Sequence, residues 1–302
     1  MVPLRLATDA EGLELAAEHA KIAAPRRGTI RWDLPRADFT EAQLAAAAGA
    51  WRARAAQEYH SLALFTQLSG QLHQLVAPLD WSGAFARMIA DEVRHTDIAL
   101  RMTALCGGAP AEVLPSALHL PVTGATLRAH VRGTVIAAFC IGETLSGRMF
   151  RRCLRAATVP VAKDAVRAIV EDETFHGRLG WELGALLMRH DGTAASRRER
   201  DVLARQLPEI FLHYRDMCGA ARGEAWSRDG AEADGAPNFG TLTDRGYARA
   251  FWEGMRDDVV PGLVAIGLPE AAQAFEGIGE RASEVTRPSA RGAGGSYRAR
   301  RR

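Results

Sequence analysis

Apolar residues recur at alternating intervals of three and four through four long stretches of this chain, the spacing of one buried helix face. In the first stretch Leu44, Ala48, Trp51, Ala55, Leu62, Phe65, Leu72 and Val76 share a stripe, predicting a helix from Glu41 to about Val76. Asp38 to Thr40 supply cap-type residues before it and Pro78 ends it. The second runs from Asp80–Ser82 to Leu105, with Phe85, Met88, Ala99 and Met102 inward and Cys106-Gly107-Gly108 as the stop. The third, Thr123 to about Ala157, aligns Ile136, Cys140, Phe150 and Leu154; Pro160 separates it from the fourth, Val161 to Arg189, which aligns Ala162, Val166, Ile169, Gly180, Leu183 and Leu187. No stretch alternates with a strand's period. The fold class is therefore all-α, and four such amphipathic helices specify a four-helix bundle.

The bundle spans residues 39–190. Before it, residues 1–38 read as an N-terminal packing arm: an amphipathic candidate, Asp9 to Ala24, then a Pro/Arg-rich connector ending at Pro35. Residues 191–285 read as additional C-terminal helices packed on the bundle: Ser196 to about Ala221, Asp244 to Ile266 with an interruption near Pro261, and Ala271 to Arg281. A polar loop, Gly223 to Gly240, joins the first two. Residues 286–302, rich in Gly and Arg, read as a disordered basic tail.

Composition adds little to this picture except where it excludes. At 47% hydrophobic and 25% charged residues the chain can bury a sizeable core. The net charge of +2 hides a split: residues 281–302 hold seven Arg against one Glu, so the remaining body is mildly acidic. That distribution argues for a solubilising end rather than a nucleic-acid-binding surface. Cys106, Cys140, Cys153 and Cys218 show no paired spacing, as in reduced thiols. No basic segment followed by an apolar one opens the chain, and no run of eighteen apolar residues occurs; the expectation is a cytoplasmic protein with no membrane association.

The exceptions to the apolar stripes carry the chemistry. Glu58, Glu92, His95, Glu143, Glu173 and His176 all sit on inward positions, and four of them belong to one pattern written twice, Asp91-Glu92-Val93-Arg94-His95 and Asp172-Glu173-Thr174-Phe175-His176. Residues three apart on a helix lie about 60° from one another, so each Glu-x-x-His pair aims at one point. By composition Asp-Glu-x-x-His should arise about 0.03 times in such a chain, and both Asp-Glu dipeptides of this one carry the histidine. Four carboxylates in a helical core would be costly without compensation. Two divalent cations balance their charge, and carboxylates with imidazoles suit Fe(II) or Mn(II). Neither a thiolate set nor three histidines is offered, which argues against a mononuclear zinc site. Asp91 and Asp172 are placed to accept the second ring N–H of the histidine on the facing helix, and Arg94 to tie these carboxylates down. Small residues near the ligands, among them Gly147, Gly180 and Gly184, together with Cys140 on the Glu143 stripe, mark either close helix packing or a substrate cavity; both readings stand.

These residues resemble the ferritin-like non-haem di-iron carboxylate superfamily, over roughly Glu41 to His190. The repeated Asp-Glu-x-x-His looks like its oxygen-activating branch of monooxygenases, desaturases and arylamine N-oxygenases, although Phe175 stands where the pattern's second arginine would be. The resemblance implies a ferritin-like bundle holding two iron ions, Fe/Fe or else Mn/Fe. It implies an O2-activating oxidase or oxygenase that hydroxylates, N-oxygenates or desaturates a small organic or carrier-bound substrate. Electrons would come from an external donor such as a ferredoxin or a flavin reductase, and a homodimer is compatible with it. The competing expectation is a ferritin or bacterioferritin-type ferroxidase that handles iron.

Overall fold

The computed structural model describes residues 3–6, 13–118, 121–189, 193–220 and 236–285. It is all-α, apart from a two-residue antiparallel pair joining β1 (Leu4–Arg5) to β2 (Glu112–Val113), too short to leave an alternation in the sequence. The helices are α1 (Leu13–Ala23), α2 (Glu41–Gln74), α3 (Leu79–Leu105), α4 (Leu127–Thr134), α5 (Thr144–Ala156), α6 (Pro160–Met188), α7 (Ala194–Met217), α8 (Asp244–Gly254), α9 (Val260–Ala265) and α10 (Glu270–Val285). A π-helical segment, Val135–Glu143, fuses α4 to α5, and another, Met255–Val259, links α8 to α9. The tail at 286–302 lies outside the described residues.

Local chemistry sets the helix ends. Thr40 and Gln43 close α2 with a reciprocal capping box. The third stretch begins at Leu127 rather than Thr123, because Thr126 is the residue whose hydroxyl accepts the Ala129 N–H while Thr123 turns its N–H to the His130 ring. Val76, expected on the α2 stripe, is 87% exposed. The helix stops at Gln74 with Ala77 N–H bonded to Leu72 C=O and Val76 N–H to His73 C=O, which forces Val76 to a φ of 56°. That is a Schellman closure with valine in the left-handed position where glycine is usual. Pro261 does not break its helix; it follows the second π segment as one of the first residues of α9.

A short turn makes α2 and α3 antiparallel. The described parts of the next link, 106–118 and 121–126, lead back along the molecule, held where Gln67 Nε2 donates to Leu118 C=O, so that α4 starts beside the C-terminal half of α2. α4 to α5 therefore runs parallel to α3, and α6 returns antiparallel to α5. The interior of these four segments divides into a core around Trp51, Met102, Ala162 and Ile169 at one end and a core around Phe65, Phe85, Phe139 and Leu183 at the other. Between the two cores lies the polar cluster. A third core, with Phe211, Phe251, Met255 and Leu263, packs α7 to α10 on the outer side of the π segment and α5. The loop expected to be polar from 223 to 240 lies outside the described residues up to 235, but its end is core: Phe239 is 4% exposed, because Trp51 Nε1 and Arg54 Nη2 donate to the Phe239 and Gly240 carbonyls.

Candidate metal centre

All six stripe residues that interrupt the apolar pattern meet in one buried cluster. Glu58 comes from α2, Glu92 and His95 from α3, Glu143 from the last turn of the π segment, and Glu173 and His176 from α6. Exposure falls from 8% at Glu143 and 6% at Glu58 to 3% or less at Glu173, Glu92, His95 and His176. His95 Nδ1 lies 3.7 Å from oxygens of Glu58, Glu92 and Glu173. His176 Nδ1 lies 3.3 Å from Glu92 and Glu143 and 3.9 Å from Glu173. Glu92 and Glu173 thus face both imidazoles, whereas Glu58 belongs to the His95 side and Glu143 to the His176 side. The arrangement offers two candidate ligand groups, Glu58, Glu92, His95 and Glu173 on one side and Glu143, Glu173 and His176 on the other, with Glu92 also facing His176.

The other ring nitrogens point the opposite way, and they cross between helices. His95 Nε2 is 3.4 Å from Asp172 Oδ2 on α6, and His176 Nε2 is 3.4 Å from Asp91 Oδ2 on α3. These are ion-pair contacts rather than short hydrogen bonds, and they orient the rings so that each Nδ1 lone pair faces the glutamates. Arg94 Nη1 donates to both aspartates at 2.8 Å. Arg26, from the connector after α1, donates to Asp91 at 2.6 and 2.9 Å and pairs with Asp172 at 3.2 Å.

Electrostatics shows what the cluster lacks. Burial, with the charges of neighbouring glutamates, pushes the Glu92 and Glu173 carboxyls well above the usual range. Burial pushes Glu58 the same way, but contact with His95 and the charge of Arg54 leave it lowered. Burial also opposes ionised imidazole, yet the facing carboxylates overcome it: His95, beside Asp172 and Glu58, is pushed up to about 9, and His176, beside Asp91 and Glu143, to about 10. Asp91 and Asp172 are held low, since their histidine and arginine partners outweigh burial. Protons on the raised groups thus offset part of the cluster's negative charge. Among the described residues Glu92 Oε2, Glu173 Oε2 and His95 Nδ1 are buried with no hydrogen-bond partner, as are His95 Nε2, His176 Nε2, Asp91 Oδ2 and Asp172 Oδ1 behind them, a cost that native interiors rarely carry. Two divalent cations would occupy the lone pairs of the first three and replace the protons, so the residues fit metal ions; they do not decide which metal.

At Gly180 and Gly184 the two readings resolve into packing. A Cβ on Gly180 would stand 2.9–3.0 Å from Phe139 side-chain and backbone atoms, and one on Gly184 would stand 2.6 Å from Cys140 Sγ. Both glycines let α6 press against the π segment, where Cys140 S–H donates to Gly180 C=O. The cavity expected beside Gly180 and Gly184 is therefore filled by Phe139, Ile136 and Cys140. Gly147 is the roomier position, its added Cβ meeting only Arg151 at 3.4 Å and Glu173 Cβ at 3.9 Å.

Three contributors escaped sequence reasoning. Arg26 is one arginine of many in a connector without periodicity. Arg54, one turn before Glu58, is buried against Trp51 and Phe150 with its guanidinium carbon 4.2 and 5.0 Å from the ring centres, on a stripe position that reads as a solvated residue. Tyr214 of α7 donates its hydroxyl to Ala137 C=O inside the π segment at 2.8 Å and lies against Gly142. The pair Gly142 and Tyr214 carries no sequence signal, because 72 residues separate them. The chain matches no protein-family model, no curated protein and no solved structure.

Proposed function

We propose that the chain is an O2-activating non-haem di-iron oxidase or oxygenase built on a ferritin-like four-helix bundle. The burial of the ligand set carries this reading: every candidate ligand is at most 8% exposed and both histidines are at 0%. A centre that passes iron through in bulk needs a path for the ion, whereas one this enclosed suits resident metal. Bound iron would supply the reducing equivalents and coordination sites for O2 that no side chain provides. Glu58 and His95 would hold one ion, Glu143 and His176 the other, and Glu92 and Glu173 would span both. Asp91 and Asp172 keep the Nε2 protons in place, and the apolar cores on either side exclude water. The substrate is a small organic molecule or the end of a carrier-bound one, and electrons come from a separate ferredoxin or flavin reductase.

The closed packing at Gly180 and Gly184 favours a second reading, a ferroxidase that takes Fe(II) itself as substrate. One measurement separates them. Protein purified from iron-replete cells is analysed for iron and then supplied anaerobically with either a chemical reductant or excess Fe(II) before O2 is admitted. The oxygenase reading expects about two metals per chain throughout and O2 uptake set by reductant. Iron rising far above that, with O2 uptake proportional to added Fe(II), would establish the ferroxidase, and a chain that retains no iron would defeat both.

A further inference from the structure

The two copies of the repeated motif differ at one position with structural weight. Arg94 in the first copy donates from a single nitrogen to Asp91 and Asp172 at 2.8 Å each. Its counterpart in the second copy is Phe175, which can donate nothing; the Arg87 guanidinium covers that ring at 3.8 Å. With Arg94 alone, two buried carboxylates would share one hydrogen-bonding guanidinium, since Arg87 Nε stands 3.6 Å from Asp91 Oδ2 without a hydrogen bond. The missing donor comes from outside the four-helix core. Arg26 donates to Asp91 Oδ1 through Nη2 at 2.6 Å and Nε at 2.9 Å, and its Nε forms an ion pair, not a hydrogen bond, with Asp172 Oδ1 at 3.2 Å. Its side chain is 38% exposed while the carboxylates it grips are at 0% and 2%. The arm is held in place for this contact: Arg94 Nε donates to Ala24 C=O at 2.8 Å, two residues before Arg26, and His19 on α1 pairs with Asp97 on α3 at 3.2 Å. The same arginine therefore orders both the aspartates and the segment that delivers the second guanidinium.

We infer that Arg26 is a positioning residue of the metal centre, standing in for the arginine that the second motif copy lacks, so that the N-terminal arm is a component of the site. Through Asp91 and Asp172 it holds the Nε2 sides of His176 and His95, and hence the direction of the Nδ1 lone pairs. The inference rests on reading the cluster as a metal centre.

The test titrates Co(II) anaerobically into the full chain and into Arg26→Ala, Arg26→Lys and Arg26→Ala/Phe175→Arg, recording visible d–d spectra and the melting of each metal-free protein. Arg26→Ala is expected to bind Co(II) about tenfold more weakly, the loss typical of groups that orient metal ligands, with shifted d–d bands. Lysine should recover part of that affinity. Phe175→Arg, placed by the repeat to reach the same aspartates from α6, should recover it in the absence of Arg26. Unchanged affinity and spectrum in Arg26→Ala would overturn the inference, as would failure of both replacements to recover binding, or recovery of melting temperature without recovery of affinity. A parent chain that binds no Co(II) would instead overturn the metal-centre reading and this inference with it.

Discussion

Replacing Glu92 by glutamine separates the fold from the metal more sharply than any other change in the cluster. Glu92 is 1% exposed and held well above the usual carboxyl range by burial and by Glu58, Glu143 and Glu173. Its raised value favours the neutral acid in the metal-free protein, a form that an amide matches in shape and charge. Metal-free Glu92→Gln should melt within about 2 °C of the parent, since a change under about 1 kcal/mol moves a chain of this size by no more than that. With metal the two must diverge, because Glu92 faces both His95 and His176. An ion supplied at 100 times its Kd stabilises the parent by about 2.7 kcal/mol, or about 5 °C. If losing one bridging carboxylate weakens binding 100-fold, the same ion concentration contributes only about 0.4 kcal/mol, under about 1 °C. Anaerobic melting with chelator and with Fe(II) reads both arms. A variant that keeps the full metal-induced rise would refute the bridging role; one whose metal-free form melts many degrees lower would refute the neutral-acid argument.

Asp91→Asn and Asp172→Asn should each weaken metal binding about 10- to 100-fold while the helices persist, measured by competition with a chromophoric chelator and by circular dichroism. The pH dependence of the metal-free protein follows from the raised groups. Glu92, Glu173, His95 and His176 all have folded-state values above their unfolded ones, so their stability contributions are complete below the unfolded values and are lost as pH rises, for the histidines through about 9 and 10. Asp91 and Asp172 are lowered and contribute above the ordinary carboxyl range, losing that contribution as pH falls. Denaturant midpoints should therefore decline from mildly acidic to alkaline pH without metal, and metal affinity should rise over the same span as protons leave the ligands; a flat metal-free profile would count against the shared-proton picture. Val76→Gly should stabilise by about 1 kcal/mol by relieving the left-handed valine, read from the urea midpoint. Gly180→Ala should cost about 1–3 kcal/mol through its clash with Phe139 and lower metal loading with it, whereas a neutral result would reopen the cavity.

The four long helices and all six cluster residues were legible because they obey one rule: a buried stripe repeats every three to four residues, so a carboxylate or imidazole on that stripe must face its counterparts. What escaped has no period. The π segment adds a turn of different pitch without any composition that announces it, and Ile136, Cys140 and Glu143 keep helical spacing across it. Val76 continued the stripe by type, but the chain needed a reversal there before Pro78. Gly180 and Gly184 have the same letters whether they line a cavity or a contact, and only the position of Phe139 and Cys140 decides. Arg26 and Tyr214 act across the tertiary structure, where no local spacing constrains them.

The hydroxyl of Tyr214 on Ala137 has a consequence for how the molecule can be divided. In the π segment the backbone carries one residue more than an α-helix would over the same rise, and Glu143 closes that stretch. Were it to relax to α pitch, everything beyond would slip by one residue and Glu143 would swing about 100° around the helix axis. The wedge against that slip is Tyr214 beside Gly142, contributed by α7. A fragment cut after Met188 would retain Glu58, Glu92, His95, Glu173 and His176 on their helices, yet it would lose the brace on Glu143 and leave the apolar faces of Ile141 and Leu145 bare. The minimal unit that keeps all six cluster residues in place therefore extends at least through α7, well past His176.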